Sequence, residues 1–344
     1  MKLRWRGALG IGLSAVGLWW ALHGVPWHDV TNRLRDANIP LLVLCSIAAT
    51  GIFPLRAIRW RIILAPVAPK LPLGPLWRSV AIGMMVNNVV PARAGELARA
   101  YALTRERPDV SFSTSLASLV VDRLFDGASV LLLMAVAMLD PRFLGVADIH
   151  GWSIRDAAAF GIGGILLGFA ALYLFASYPQ RAIAVYERFA RRVAPAIEAR
   201  GSAVLASFAG GLSVLRSPAR FIAVLWWAVL HWLLNAFAFW LAFRALHIQA
   251  PFSAALFAQG VIVAFVSVPS TPGFAGVFEL GGRVGLAAYG VAASAAAAWS
   301  LTFHIVSYIP ITVIGLWYLS RTGITYGEIR AVGEPGVAAA GGGS

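Results

Sequence analysis

The sequence predicts an all-α membrane protein that crosses the bilayer several times. Of its 344 residues, 59% are hydrophobic and only 12% are charged, and the mean hydropathy is +0.76. Soluble domains carry roughly 25% charged residues, and only helices or closed barrels span a bilayer. The apolar runs here are long and continuous, whereas barrel strands alternate over about ten residues. Helices are therefore the predicted spanning elements.

Six apolar runs are long enough, or nearly so, to span a membrane, which takes about 20 residues. They are residues 7–23, 39–55, 113–139, 157–177, 221–243 and 291–319. Two further runs are interrupted. Residues 79–92 form a short run that ends at Pro91, and residues 252–278 contain the helix breakers Pro269, Pro272, Gly273 and Gly276. We expect each interrupted run to begin a broken, re-entrant helix pair; for 252–278 a plain span is the alternative.

The net charge of +13 indicates loops on the cytoplasmic side, where Lys and Arg collect. The segment 56–78 has five basic residues and no acidic one, and 178–220 has seven arginines, whereas 245–251 has none. This alternation predicts a multi-pass protein of the cell (inner or plasma) membrane with both termini cytoplasmic. Attraction to anionic lipids is a second interpretation of the charge. Nucleic-acid binding is not expected, because the chain has no separate soluble basic domain.

A shift of 181 residues brings Pro91 onto Pro272, Gly95 onto Gly276, and the run 113–139 onto 294–320. Each half then contains two spans, an interrupted hairpin and a last span. An odd number of crossings separates the halves, which predicts two inverted-topology repeats. The expected domains are a first repeat (1–139), the start of the second (140–177), a cytoplasmic connector (178–220), the remainder of the second (221–322) and a disordered tail (323–344). Within the connector, residues 181–200 have the spacing of an amphipathic helix on the membrane surface.

The stretch "NNVVPARAGELARA" (87–100) introduces Arg93, Glu96 and Arg99 directly after an apolar run. An ionisable side chain that faces lipid costs at least about 2.5–3.5 kcal/mol on insertion scales. These groups are therefore expected to face a polar cavity or one another, with Glu96 and Arg99 spaced as an i, i+3 pair. The alternative is an anchor in the headgroup zone.

Two further groups of ionisable residues interrupt apolar sequence. Asp122 and Asp126 lie one helical turn apart beside Arg123, and we expect them to pair with Arg93 or Arg99 rather than to bind a metal. In "VPSTPGFAGVFELGGR" (268–283), Glu279 and Arg283 have the favoured i, i+4 order. Half-helices of this kind present dipoles and free backbone groups to a headgroup or ion. No cofactor or catalytic motif is predicted, and a transporter is favoured over an enzyme.

These motifs resemble the flippase-like membrane domain of lysylphosphatidylglycerol synthase, over about residues 5–322. The family pattern N-x-x-P-x-R-x-G-E-x-x-R is carried by Asn88, Pro91, Arg93, Gly95, Glu96 and Arg99. An acid-Arg-x-x-Asp stretch follows at Asp122, Arg123 and Asp126, with aspartate at the first position where the family more often has glutamate. Then comes P-x-x-P-G-x-x-G-x-x-E at Pro269, Pro272, Gly273, Gly276 and Glu279, and R-x-x-R-W lies upstream at Arg56, Arg59 and Trp60.

The resemblance implies a domain that moves lipids between leaflets through a cavity between inverted halves. Membrane lipids are the expected ligands, and a homodimer and a lipid-synthesis enzyme are further candidate partners. The expected headgroup-binding residues are Asn88, Arg93, Arg99, Arg123 and Arg283. Glu96, Asp122, Asp126 and Glu279 are expected to hold these arginines and to accept protons. Two other functions stay open: a membrane transferase on a lipid-linked substrate, and a non-catalytic partner of a lipid-synthesis enzyme.

Overall fold

The computed structural model describes residues 12, 15–90, 94–144, 154–193, 198–267, 271–323 and 328. Within these residues the chain is helical and has no strand, which confirms the predicted all-α class. The helices are α1 (15–22), α2 (Trp27–Arg35), α3 (Ile39–Thr50), α4 (Ile52–Leu64), α5 (Leu73–Val89), α6 (Gly95–Glu106), α7 (Phe112–Ala137), α8 (Ile154–Ser177), α9 (Pro179–Val193), α10 (Glu198–Gly211), α11 (Pro218–Ala245), α12 (Phe252–Val266), α13 (Val277–Ala287) and α14 (Ala293–Thr322). Pro91, Arg93, Pro269 and most of the tail lie outside the described residues.

Three helical stretches of the described chain are long and apolar enough to cross a membrane: Ile39–Leu64, Pro218–Ala245 and Ala293–Thr322. They coincide, wholly or nearly so, with the predicted spans 39–55, 221–243 and 291–319. A fourth candidate joins 162–177 to 179–192 through a bend of 86°. Helix α7 has 26 residues, enough to cross about 30 Å of hydrocarbon, but it carries Asp122, Arg123 and Asp126 near its middle. Its charges, not its length, set it apart from the apolar stretches.

The second predicted span is longer than expected. Residues 39–55 were predicted to span and 56–78 to form a basic loop, but the helix continues through Gly51 to Leu64. The arginines of α4 led to the wrong boundary, because Lys and Arg are the usual marks of a loop. In the fold Arg56 and Arg59 are buried, since carboxylates on α7 neutralise them.

Two helical hairpins are made of arms shorter than the long apolar stretches. Helix α5 packs against α6, and α12 packs against α13. The arms have 17, 12, 15 and 11 residues, or at most about 26 Å at 1.5 Å per residue. Small residues bring the arms close together: a Cβ on Gly83 would lie 2.7 Å from the carbonyl oxygen of Gly95. This is the close helix packing that glycine permits in membranes.

The hairpins pack reciprocally on the long helices. Helix α5 of the first hairpin lies against α14, and α12 of the second lies against α7. The second arms, α6 and α13, contact α7 and α14 respectively. Each hairpin therefore contacts both α7 and α14.

The connector contains α9 and α10, which pack against each other. Along α9, Ile183 and Ala190 are buried, whereas Val185 and Phe189 are exposed together with Arg191 and Arg192. Exposed apolar side chains beside arginines are typical of a helix at a membrane surface. Its amphipathic pattern agrees with the one expected for 181–200, although the helix begins two residues earlier and residues 194–197 lie outside the described chain.

Candidate functional site

A group of charged side chains, which we call the charge cluster, lies where α4, α6 and α7 meet. Its members are Arg56, Arg59, Glu96, Arg99, Asp122, Arg123 and Asp126. The helical periodicity of each element creates the cluster. The spacing of three between Arg56 and Arg59 puts both on one face of α4, and the spacing of four between Asp122 and Asp126 does the same on α7.

Arg59 lies at the centre of the cluster and bridges both aspartates. Its Nη2 atom is 2.6 Å from Asp122 Oδ1, and its Nη1 atom donates to Asp126 Oδ1 across 2.8 Å. The side chain is 0% exposed. Arg56 lies beside it, with Nη2 at 3.6 Å from Asp126 Oδ2 and 3.9 Å from Asp122 Oδ2. A planar guanidinium is suited to this bridging role because its donors form a rigid fork.

Arg99 joins α6 to the cluster. Its Nη1 atom donates to Asp122 Oδ2 across 3.0 Å, and its guanidinium carbon lies 4.0 Å from the centre of the Trp60 ring. Trp60 in turn donates to Ser118 Oγ across 2.7 Å. The Nε and Nη2 atoms of Arg99 are buried and have no hydrogen-bond partner among the described residues. Two buried donors are thus available for an acceptor that the described chain does not supply.

Arg123 lies at the edge of the cluster and is 42% exposed. It pairs with Glu96 of α6 and, through Nη1 at 3.3 Å, with Asp126 Oδ2. The cluster as defined has four guanidinium groups and three carboxylates, which leaves one positive charge in excess.

Helix α11 closes the cluster with residues that sequence reasoning missed. Trp232 Nε1 donates to Asp126 Oδ1 across 3.0 Å, and the buried His231 places Nδ1 3.7 Å from the same oxygen. Both residues lie in the apolar run 221–243, and nothing in the sequence links them to α7. Arg56 and Arg59 did leave a signal, since R-x-x-R-W is part of the family pattern.

The second break is held by Glu279 and His304. Glu279 is 3% exposed, accepts the backbone N–H of Gly276 at 2.6 Å, and so caps α13 from within its first turn. His304 Nδ1 lies 2.6 Å from the other Glu279 oxygen, and Nε2 lies 2.7 Å from the carbonyl oxygen of Gly273. Because a carbonyl oxygen can only accept, the hydrogen bond to Gly273 requires a proton on Nε2.

The two breaks lie against the same stretch of α14. His304 contacts the carbonyl of Gly273, and Tyr308, one turn further on, donates to the carbonyl of Asn88 across 3.0 Å. The Asn88 side chain donates to Thr312 across 2.9 Å, again one turn along. Helix α5 also packs on the turn Pro272–Phe274. Residues from the ends of both interrupted runs therefore meet on α14.

Gly273 shows why this approach requires glycine. Its φ of 69° is in the left-handed region, and a Cβ there would lie 2.6 Å from Cε2 of Tyr308. Gly276 has a φ of 88° where the chain restarts as α13. Gly95 begins α6 and donates its N–H to Asn87 Oδ1 across 2.9 Å. These predicted break residues do lie at breaks or helix starts.

Two predicted pairings do not form, and one predicted site residue lies elsewhere. Glu96 pairs with Arg123 rather than with Arg99, and Glu279 pairs with His304 rather than with Arg283. Arg283 Nη1 donates instead to the carbonyls of Trp20, Ala21 and His23, at 2.6–3.1 Å. It thus caps the C-terminal end of α1, where carbonyls lack helical partners.

No group of three or more His, Cys, Asp or Glu side chains in the described residues is placed to hold a metal ion. Asp122 and Asp126 face Arg59, as their expected pairing with arginine requires, and Arg99 is the partner that the sequence predicted. The other predicted partner, Arg93, lies outside the described residues.

Fold and site together define a class: a helical membrane protein with two helical hairpins and a buried arginine–aspartate cluster between α4, α6, α7 and α11. The chain belongs to the family described as the lysylphosphatidylglycerol synthase TM region, whose model matches residues 7–315. This membership confirms the resemblance and indicates a membrane protein whose function is connected with lipids.

A partial relative carries the name of an enzyme. The chain is 31% identical over 136 residues to Glycosyltransferase AglD of Haloferax volcanii, which covers 40% of this chain and 21% of the relative. The chain thus spans about a fifth of that relative's length. No solved structure matches the chain.

Proposed function

We propose that this protein is a lipid translocase, which moves a phospholipid or a lipid-linked headgroup between leaflets along a path between two inverted halves. The observation that carries the proposal is the charge cluster. Among the described residues it has one positive charge in excess, and two buried donors of Arg99 have no partner there. A headgroup phosphate is an acceptor of matching charge, because guanidinium groups bind phosphate through paired, charge-assisted hydrogen bonds.

The packing of the hairpins supports the inverted repeat. Under the 181-residue shift, α5 corresponds to α12 and α7 to α14. The contact of α5 with α14 then corresponds to the contact of α12 with α7, as a two-fold axis in the membrane plane requires. In this arrangement, broken helices lie near the midplane and line the substrate path, with both termini of the chain in the cytoplasm.

The residues divide into two roles under this proposal. Arg99 and Arg123, with Arg93 and Asn88 at the first break, bind the headgroup. Glu96, Asp122 and Asp126 hold the guanidinium groups in place when the headgroup is absent. Arg283 takes no part in headgroup binding, since it caps α1. Glu279 shapes the second break through Gly276 and His304.

The test measures the exchange of lipid between the two leaflets of liposomes. Their lipid composition is that of an inner or plasma membrane. The purified chain is reconstituted with fluorescent phosphatidylglycerol, other glycerophospholipids or polyprenyl phosphates, and a membrane-impermeant quencher reports the outer leaflet. We expect exchange above that of empty vesicles for at least one lipid.

Arg99→Lys keeps the positive charge but loses the forked donors of the guanidinium group, so we expect exchange to slow by about tenfold or more. Arg244→Lys is the matched control, because Arg244 is an exposed arginine far along α11. Background exchange for every lipid would refute the proposal.

A second candidate function rests on the partial relative. That protein is named a glycosyltransferase, which favours a role as an integral membrane transferase, or as a non-catalytic partner of an enzyme that acts on a lipid-linked substrate. The assay is conversion of a labelled polyprenyl-phosphate sugar by the purified chain, with and without EDTA. Product formed by the chain alone, and lost with Asp122→Asn, would favour the transferase. Co-purification of an enzyme or of a second copy of this chain would favour the partner role.

A further inference from the structure

A second basic site lies where the ends of α5, α6 and α14 meet. It is a cavity of about 690 Å³, a volume in the usual range for small-molecule sites. Its lining includes Arg78, Arg105, Glu106, Trp317, Tyr318 and Arg321, and we call it the basic pocket. None of these residues belongs to the charge cluster or to the family motifs.

The basic pocket has more positive than negative charge. Three arginines line it together with one carboxylate, and that carboxylate, Glu106, is paired with Arg78. Arg105 lies 3.8 Å from Glu328, so an acidic side chain from the tail already lies against the pocket. Arg321 forms no ion pair in the described chain; its guanidinium carbon lies 5.2 Å from the centre of the Trp317 ring. The pocket therefore attracts anions and keeps one guanidinium available.

An apolar stripe leads to the pocket along the outside of α14. Ile309, Val313 and Trp317 are spaced by four residues, and each is more than half exposed. Residues at this spacing lie on one face of a helix. In a chain of this composition such a face lies in hydrocarbon, and aromatic residues next to arginines mark the headgroup level. A ligand with acyl chains can therefore lie along α14 with its polar end in the pocket.

We propose that the basic pocket binds an anionic phospholipid, with its phosphate on Arg105 and Arg321 and its acyl chains along α14. The site is separate from the charge cluster. Arg99 and Arg105 are both on α6, but six residues place them about 9 Å apart along the axis. The proposal does not depend on translocation, because a structural or regulatory lipid would bind in the same way.

The experiment counts lipids bound to the purified full chain by native mass spectrometry during titration with dioleoylphosphatidylglycerol. Arg105→Gln with Arg321→Gln is the test variant; Arg78 stays, because it is paired with Glu106. Arg244→Gln is the matched control, since Arg244 is also in the last turn of a helix and stacks on a tryptophan, Trp240, at 5.8 Å. The unfolding midpoint of each variant checks that the fold is retained.

We expect the first binding step to weaken about tenfold or more in the double variant and to change less than twofold in the control. Restoring the charge with Arg105→Lys and Arg321→Lys should recover part of the affinity. Equal loss in Arg244→Gln, or no loss in the double variant, would overturn the proposal. Phosphatidylcholine bound as tightly as phosphatidylglycerol would overturn the selectivity for negative charge. Inorganic phosphate or glycerol 3-phosphate bound as tightly as the lipid would show that the ligand is a free anion.

Discussion

Arg59 donates a hydrogen bond to Asp126 across 2.8 Å, and both side chains are buried. Arg59 is on α4 and Asp126 on α7, and Trp232 of α11 donates to the same carboxylate oxygen at 3.0 Å. One oxygen atom therefore connects three helices. Arg59 and Asp126 are buried and Trp232 is half-buried, so loss of the carboxylate would weaken the packing of α4, α7 and α11 against one another.

We expect Asp126→Asn to lower the free energy of unfolding by about 3–5 kcal/mol, since it leaves Arg59 and Arg56 buried with one counter-charge fewer. Thermal unfolding in detergent measures the change. Asp109→Asn is the control, because Asp109 is exposed in the α6–α7 loop, where it pairs with its neighbour Arg107. A shift in the control as large as that of Asp126→Asn would contradict the central role of the cluster.

His304→Leu should loosen the second break. The substitution removes the donor to the Gly273 carbonyl and the partner of Glu279, which caps α13. Each lost hydrogen bond is worth about 1 kcal/mol, so amide exchange over residues 272–280 should quicken by roughly tenfold. Hydrogen–deuterium exchange with mass spectrometry measures this, and the exposed His28→Leu should leave the peptide unchanged. Unaltered exchange in His304→Leu would show that the break is held by other contacts.

Gly83→Ala should separate the arms of the first hairpin. Its Cβ would lie 2.7 Å from the Gly95 carbonyl oxygen and 2.8 Å from Arg99 Cβ, so α5 and α6 must move apart. Overpacking of this kind costs about 1–3 kcal/mol of unfolding free energy. Gly164→Ala in α8 is the control: a Cβ there meets nothing within 4 Å, and alanine stabilises a helix interior by about 0.5–1 kcal/mol. Unfolding midpoints that move in the same direction would contradict the close packing.

Asp140, in the turn after α7, is expected to make the stability of the fold depend on pH. Hydrogen bonds from Arg142 and Ser253 lower the pKa of Asp140 to about 2, whereas an ordinary aspartate has a pKa near 3.9. A lowered folded-state pKa stabilises the fold fully above about pH 4, and the contribution is lost as the pH falls through about 2. The midpoint difference between the wild type and Asp140→Asn should thus be present at pH 6 and vanish near pH 2. A difference that is constant across this range would contradict the assignment, and Ser253→Ala should raise the carboxyl pKa.

Much of the site could be predicted from spacing alone. The four-residue interval of Asp122 and Asp126 places both on one face, and the cost of a charge facing lipid predicts an arginine partner, which the fold supplies as Arg99. The same cost of a charge facing lipid explains why Arg56 and Arg59 were wrongly predicted to lie in a loop. Arginines in a sequence mark a loop unless a carboxylate neutralises them, and their partners lie more than 60 residues away.

Arg283 shows what the spacing of residues within one helix does not predict. Its position one turn after Glu279 suggested a pair and a headgroup ligand, but α1 ends beside α13 and offers three unpaired carbonyls. Local spacing describes which residues share a face of one helix. It carries no information about which other helix lies opposite that face.

Composition and periodicity by themselves determined that this chain is an all-helical membrane protein, that two of its apolar runs are broken, and which carboxylates need cationic partners. Those properties follow from the free energy of transfer to hydrocarbon and from the 3.6-residue repeat, which act locally. Only the tertiary structure decided that Arg59 bridges both aspartates, that Trp232 closes the cluster, and that His304 and Tyr308 contact both breaks. These contacts join residues from distant helices, and helix packing alone brings them within hydrogen-bonding distance.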